Sequence, residues 1–215
     1  VRYIEHLQKY EVDYGEVNLS GAGEGSVEIM TIHKSKGLEF PIVILAGMGK
    51  QFNMQDLNAR LLIHPDYGLG ADAILPDRRM IVSTLYKQVI RRKLLEETLG
   101  EEIRVLYVAL TRAKEKLIMT GTIGNLEKRL LSLYRFRENE QELLPAETRL
   151  NGKTYWDYVL PALARHRCMD QLFEEFGLQP SHDNLLYDDP AEFQVKRITA
   201  RTLTEAEVVE QAAGQ

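Results

Sequence analysis

Between residues 27 and 121, short apolar runs of strand length alternate with one long helical pattern. Val27-Glu28-Ile29-Met30-Thr31-Ile32 is β-rich and partly alternating, and Phe40 to Ala46 is an unbroken apolar run, which predicts a strand covered on both faces of a parallel sheet. Leu61-Leu62-Ile63-His64 and Gly68 to Ile74, joined through Pro65-Asp66-Tyr67, predict a small hairpin. From Ser83, a candidate N-cap, apolar residues at helical spacing run through Val89, Ile90, Leu94, Ile103, Leu106, Tyr107 and Leu110. Gly100 is the weak point, so two helices or one bent helix are expected. Lys116 to Gly121 then returns as a strand. Strand, loop, strand, helix, strand is the grammar of an α/β fold.

On either side of this block the pattern changes. Tyr3, Ile4, Leu7 and Tyr10 predict an opening amphipathic helix, and Gly21-Ala22-Gly23-Glu24-Gly25-Ser26 reads as a flexible connector. Beyond Asn125 the chain is charged and helical to about Glu142, and Tyr155 to Ala164 predicts a further amphipathic helix carrying the sole tryptophan, Trp156. From about Ser181 periodicity is weak, and only partial order is expected. These shifts divide the chain into residues 1–25, 26–125 and 126–215.

At 215 residues, 44% hydrophobic and 27% charged, the chain is long enough to bury a core. No apolar run reaches the roughly 20 residues of a membrane span, and Cys168 is the only cysteine, which excludes an internal disulfide or a multi-cysteine metal site. A cytoplasmic location is expected. The first residue is Val1, and the chain is expected to be cut from something longer. A net charge of −5 argues against gripping nucleic acid by bulk electrostatics, so any DNA contact must be local. The cationic clusters, Lys34 with Lys36, Arg78 with Arg79, and Arg91-Arg92-Lys93, are for the most part explained as solvated surface charge.

Two places carry candidate chemistry. The loop from His33 to Glu39 is expected to follow a strand carboxyl end, where open α/β sheets place ligands. His33, Lys34, Ser35 and Lys36 offer donors for phosphate oxygens, and Gly37 permits close backbone approach or a positive φ; an ordinary polar surface turn explains the same composition. Glu39, between Leu38 and Phe40, is expected to be partly shielded and to need a ribose hydroxyl or a basic side chain as partner. Arg112 closes the long helix just before a strand. A guanidinium there either caps the helix, worth a few tenths to about 1 kcal/mol, or forks onto phosphate oxygens, and sequence chemistry leaves both readings open. Nowhere does the chain read G-x-x-x-x-G-K-[ST], so a nucleotide would be held largely by residues elsewhere.

Thr31 to Leu45, TIHKSKGLEFPIVIL, resembles motif V of the UvrD/Rep-like superfamily 1 DNA helicases, and Glu101 to Met119, EEIRVLYVALTRAKEKLIM, resembles motif VI. Gly49 to Asn58, Leu61 to His64 and Leu160 to His166 look more narrowly like the AddA-type helicase–nuclease subunits of bacterial AddAB break-processing complexes. The likeness covers roughly residues 27 to 120 and weakens through about residue 166. It implies a partial RecA-like (P-loop NTPase-type) parallel sheet with flanking helices, plus a largely helical C-terminal extension toward a nuclease domain outside the chain. ATP and Mg²⁺ are the implied cofactors, with ATP in a cleft against another domain that carries the P-loop and the acidic Mg²⁺ motif. By this likeness Arg112 is the catalytic arginine finger, Gly37 and Glu39 join it in binding ATP with Glu39 at the ribose, and Thr31, His33 and Lys36 touch DNA. No metal ligand is carried over. The implied partners are single-stranded DNA during translocation, double-stranded ends as substrate and an AddB-like subunit, in double-strand break processing and recombinational repair. The family's domain also takes strands from further upstream, so an unpaired edge and an apolar face are expected here, and the chain alone is expected to be inactive.

Three other readings compete. Asp188, Asp189, Glu192, Gln194 and Lys196 loosely match a nuclease metal site, but they crowd within nine residues and lack separate strands to converge from. The charged helices and the Trp156 helix suit a partner-docking module with no catalytic role. A UvrD-like helicase without a nuclease is the third.

Overall fold

The computed structural model describes residues 27–179, 184–199 and 201–202; the expected opening helix and glycine-rich connector lie outside them. In chain order the elements are β1 (Phe40–Leu45), β2 (Leu61–His64), β3 (Gly68–Leu75), β4 (Met80–Ser83), α1 (Leu85–Leu110), β5 (Ala113–Met119), α2 (Leu126–Tyr134), α3 (Ala146–Leu150), α4 (Trp156–Leu163) and α5 (Asp170–Glu174). The fold is mixed α/β.

β1 and β5 pair in parallel, with Val43 opposite Leu117 and Leu45 opposite Met119. A parallel pair needs a long crossover, and α1 supplies it. Leu45, Leu106 and Ala109 are buried together with Met48, and Leu117 and Met119 pack against them, so α1 covers one face of the pair. The other face is open: Ile42 and Ile44 are 56% and 63% exposed. The expectation of a strand covered on both faces therefore fails for β1, because among the described residues only one face of the sheet meets a helix. Val27 to Ile32 also departs from expectation. It forms no strand, and Val27 and Ile29 are 86% and 95% exposed. β propensity records how well a side chain suits a pleated surface, and without a neighbouring strand to supply ladder bonds it yields none.

The hairpin forms as its turn residues dictate, with Leu62 opposite Gly70 and His64 opposite Gly68, which has φ +72°. A third strand not visible in the sequence pattern, β4, extends it after a 3₁₀ turn at Pro76–Arg78. This sheet lies against α1 closely enough that a Cβ on Gly70 would stand 2.8 Å from the Lys87 Cα, which is why that strand position tolerates no side chain. Lys87 is buried there with its Nζ 2.7 Å from Asp72 Oδ1.

α1 is one uninterrupted helix of 26 residues. Its N-cap is Thr84 rather than the neighbouring Ser83: Thr84 Oγ1 accepts from the Lys87 amide at 3.2 Å and donates to the Ala71 carbonyl at 2.7 Å. Gly100 does not break it. A lone glycine costs only about 1 kcal/mol of propensity, which burial of Ile90, Leu99, Leu106 and Ala109 along the helix outweighs.

The helical pattern beyond Asn125 ends at Tyr134, earlier than expected, and Asn125 caps it by accepting from the Lys128 amide at 2.8 Å. α2 and α5 bury Leu130, Leu133 and Phe173 in a second core that also takes Phe136, Ala164 and Met169. α4 joins the two cores. Leu160 and Leu163 face the second core, while Tyr155, Trp156 and Val159 pack on the first. The Trp156 indole fits against two glycines, since a Cβ would lie 2.5 Å from its Nε1 at Gly121 and 3.4 Å from its ring at Gly49. Trp156 is half-buried against this chain's own first core. Burial pushes the Cys168 thiol up to about 11, with Asp170 adding to the effect, so it is no thiolate at neutral pH.

From Asn184 to Thr199 the chain forms neither helix nor strand, yet it is tied down. His166 Nε2 meets the Asp189 carbonyl at 3.1 Å, Tyr187 donates to Asp170 at 2.8 Å and Asn184 donates to the Arg137 carbonyl at 3.2 Å. Of the residues matching the nuclease pattern, Asp189 turns its carboxylate onto the Ala191 amide at 2.9 Å. Among the described residues no three His, Cys, Asp or Glu side chains gather as a metal would require, and no helix is long and apolar enough to cross a membrane.

Asp157 braces the start of α4. Burial raises its pKa, but the Lys153 amide at 2.9 Å and the Arg129 guanidinium at 2.7 Å outweigh that and hold it below the usual value. A carboxyl depressed in the folded state stabilises above its unfolded pKa and loses that stabilisation as pH falls through the folded value. Asp157→Asn is therefore expected to lower stability at neutral pH and to flatten its decline below about pH 4, measured by urea titration across pH.

Candidate functional site

Thr31 to Gly37 form a compact helical turn ahead of β1. The Thr31 carbonyl accepts from the Lys34 and Ser35 amides at 3.1 and 3.2 Å, and its hydroxyl accepts from the Lys34 amide at 3.4 Å. Ser35 is turned inward: it is 7% exposed and donates its hydroxyl to the Ile32 carbonyl at 2.7 Å. It anchors the turn and is not available as a phosphate donor, contrary to expectation. Thr31, His33 and Lys36 remain exposed on the outside of the turn. Gly37 takes φ +84°, a conformation that an L side chain adopts only with strain, and open space surrounds its Cβ position.

The loop does not follow a strand carboxyl end. With no strand at Val27 to Ile32, it lies instead at the amino end of β1, beside the amino end of β5, where Arg112 immediately precedes the strand. The two parallel strands bring motifs 74 residues apart into contact, as Arg112 Nη1 donates to the Leu38 carbonyl at 3.0 Å and the Phe40 amide donates to the Arg112 carbonyl at 3.0 Å.

Arg112 is also a cap. Its Nε donates to Val108 O at 2.9 Å and its Nη2 to Thr111 Oγ1 at 2.9 Å, while the Thr111 hydroxyl meets the Tyr107 carbonyl at 2.9 Å. Orphan carbonyls at the end of α1 are satisfied in this way. A guanidinium has five N–H donors, and these bonds use three of them. The half-buried side chain thus keeps two donors for an outside acceptor while its position is set by its own fold.

Glu39 is exposed, and the expected shielding by Leu38 and Phe40 is absent because Leu38 is itself 46% exposed. Its partner is a basic side chain, Lys114, at 3.2 Å between Nζ and Oε2. Sequence reasoning misses Lys114, the second residue of β5, because nothing local to it points to a carboxylate 75 residues earlier in the chain.

The profile of the UvrD-like helicase C-terminal domain matches residues 7–123. The chain is 41% identical over 210 residues to an ATP-dependent helicase/nuclease subunit from Clostridium botulinum (strain Kyoto / Type A2), covering 98% of this chain and 16% of that protein. It is 43% identical over 217 residues to the protein of the same name from Clostridium beijerinckii (strain ATCC 51743 / NCIMB 8052), covering 100% of this chain and 17% of that one. The chain spans about one sixth of the length of the curated relatives it matches. With the domain profile covering more than half of its length, this chain belongs to the UvrD-like helicase C-terminal domain family.

Proposed function

We propose that these residues form the motif V and VI half of the ATP and single-stranded DNA site of an ATP-dependent DNA helicase/nuclease, within a second RecA-like domain. The carrying observation is Arg112: its backbone partners hold the guanidinium beside the 31–39 loop with two donors left over. The residues fit a nucleotide. Arg112 would donate to the terminal phosphate oxygens, where negative charge develops during transfer. Glu39 would accept from the sugar hydroxyls, and the backbone at Gly37 would keep the approach clear. ATP with Mg²⁺ supplies the phosphoryl group and its activation, with the P-loop and metal ligands contributed from outside this chain. On the outer side of the turn, Thr31, His33 and Lys36 would meet the DNA backbone.

The names of the relatives support helicase and nuclease chemistry in the whole protein. The reading extends to double-strand break processing in the bacterial cytoplasm with an AddB-like partner, and to residues 126–215 as the link toward a nuclease. By itself the 215-residue chain is expected to turn over no ATP.

Paired substitution of His33 and Lys36 by alanine in the full-length polypeptide tests the DNA half. Binding to a single strand should weaken at low salt, and the slope of log K against log salt should flatten by about 0.7 for the lost lysine contact, without a change in sequence preference. An unchanged slope would remove the DNA assignment of this loop. If Arg112→Ala leaves ATP turnover intact while partner binding fails, the docking-module reading replaces the catalytic one.

A further inference from the structure

The ladder between β1 and β5 is irregular at the end where the site lies. Phe40 pairs with Ala113, but Ile42 pairs with Lys116, so two steps along β1 are matched by three along β5. The extra residue falls at Lys114 or Glu115. Such a bulge breaks the pairing, raises the local twist and re-aims a side chain, and bulges concentrate beside active sites. Lys114 lies within this irregular step, and its Nζ stands 3.2 Å from Glu39 Oε2. Arg112, two residues earlier, reaches the Leu38 carbonyl of the same short segment. Consecutive residues of the loop, Leu38 and Glu39, are therefore each held by a cation, Arg112 just before β5 and Lys114 within it.

We propose that Lys114 is a positioning residue that fixes the Glu39 carboxylate for the nucleotide sugar; this rests on the function proposed above. Lys114 makes no phosphate contact in this assignment. Its ammonium occupies one carboxylate oxygen, Oε2, and leaves Oε1 to accept a sugar hydroxyl. The pair is exposed, with side chains 58% and 61% accessible, so its contribution is modest and felt in nucleotide binding, not in the chemical step.

The test is steady-state ATPase of the full-length polypeptide with single-stranded DNA saturating. Lys114→Ala should raise KM for ATP about two- to fivefold with a smaller change in kcat, the range expected of an exposed ion pair. Lys114→Arg should restore most of the loss. On a Glu39→Gln background, Lys114→Ala should add little further, because the two residues act as one unit. Arg112→Ala is the control for the underlying function. If it abolishes turnover while Lys114→Ala leaves KM unchanged, or if the Lys114 and Glu39 effects simply add, the positioning role is overturned and the nucleotide site stands. A fall in kcat with KM unchanged on removing Lys114 would also overturn it, by placing the ammonium at the phosphoryl group. If Arg112→Ala leaves turnover intact, the nucleotide site fails, and Lys114 loses its role with it.

Discussion

Arg112→Ala in the full-length polypeptide is expected to lower DNA-stimulated ATP turnover by about a thousandfold or more, the effect of losing an arginine finger, with a much smaller change in KM. The size follows from where the charge develops. A phosphoryl group in transfer spreads negative charge over its oxygens, and a pre-placed guanidinium stabilises that state more than the bound ground state, so its loss falls on kcat. Pre-placement is what the fold supplies, because the bonds to Val108, Leu38 and Thr111 fix the side chain before any ligand arrives. Those same bonds mean that alanine also removes a helix cap, costing at most about 1 kcal/mol. Arg112→Lys separates the two effects. It keeps a cation at the end of α1 but loses the planar fork, so thermal stability should stay near that of the parent while turnover remains severely reduced. Turnover of Arg112→Lys close to the parent would show that charge alone suffices and that the fork has no part.

Asp170→Ala is expected to cost about 3–5 kcal/mol of stability, the largest loss expected from any single carboxylate among the described residues. Arg137 is fully buried, and its Nη2 lies 2.5 Å from Asp170 Oδ1 while Nη1 donates to the Ala164 carbonyl at 3.2 Å. The guanidinium also sits over the Phe173 ring at 5.1 Å and the Tyr187 ring at 6.0 Å. Tyr187 completes the arrangement by donating to Asp170 Oδ2 at 2.8 Å, and burial followed by that carboxylate raises its phenol pKa. Removing Asp170 takes a carboxylate away from a buried cation and breaks its bond with Tyr187, which helps tie the 184–199 segment to the second core. Replacing both members, Asp170→Leu with Arg137→Met, should recover much of the loss, because a hydrophobic pair escapes the desolvation penalty. Urea unfolding of the two variants decides it, and a double variant as unstable as Asp170→Ala would show that the ion pair contributes net stability.

Much of the fold was legible because local pattern and tertiary environment agree. The β2 and β3 hairpin is written in alternating residues around a Pro-Asp-Tyr-Gly turn, and α1 in the spacing of Ile90, Leu106 and Leu110. β1 was legible as a strand but not in its surroundings. An apolar run records that a strand can be buried on both faces, whereas Ile42 and Ile44 are left open because burial depends on what else is folded nearby. β4 carries Met80, Ile81 and Val82 on an exposed edge, and nothing in so short a run distinguishes it from a loop until β3 offers it a ladder.

Residue identity alone sets the chemistry available at the site: an always-charged guanidinium at 112, a glycine free to take positive φ at 37, a carboxylate at 39 and polar groups at 31, 33 and 36. Residue type and order are local properties, and a family likeness is read from them. Which groups face outward and which meet is set by the three-dimensional packing. It turned Ser35 inward, placed the loop at the amino end of β1, exposed Glu39, and brought Arg112 and Lys114 onto the 38–39 segment. Those outcomes depend on parallel pairing between strands nearly 70 residues apart and on one irregular step in their register, and no local pattern encodes a contact between segments that distant.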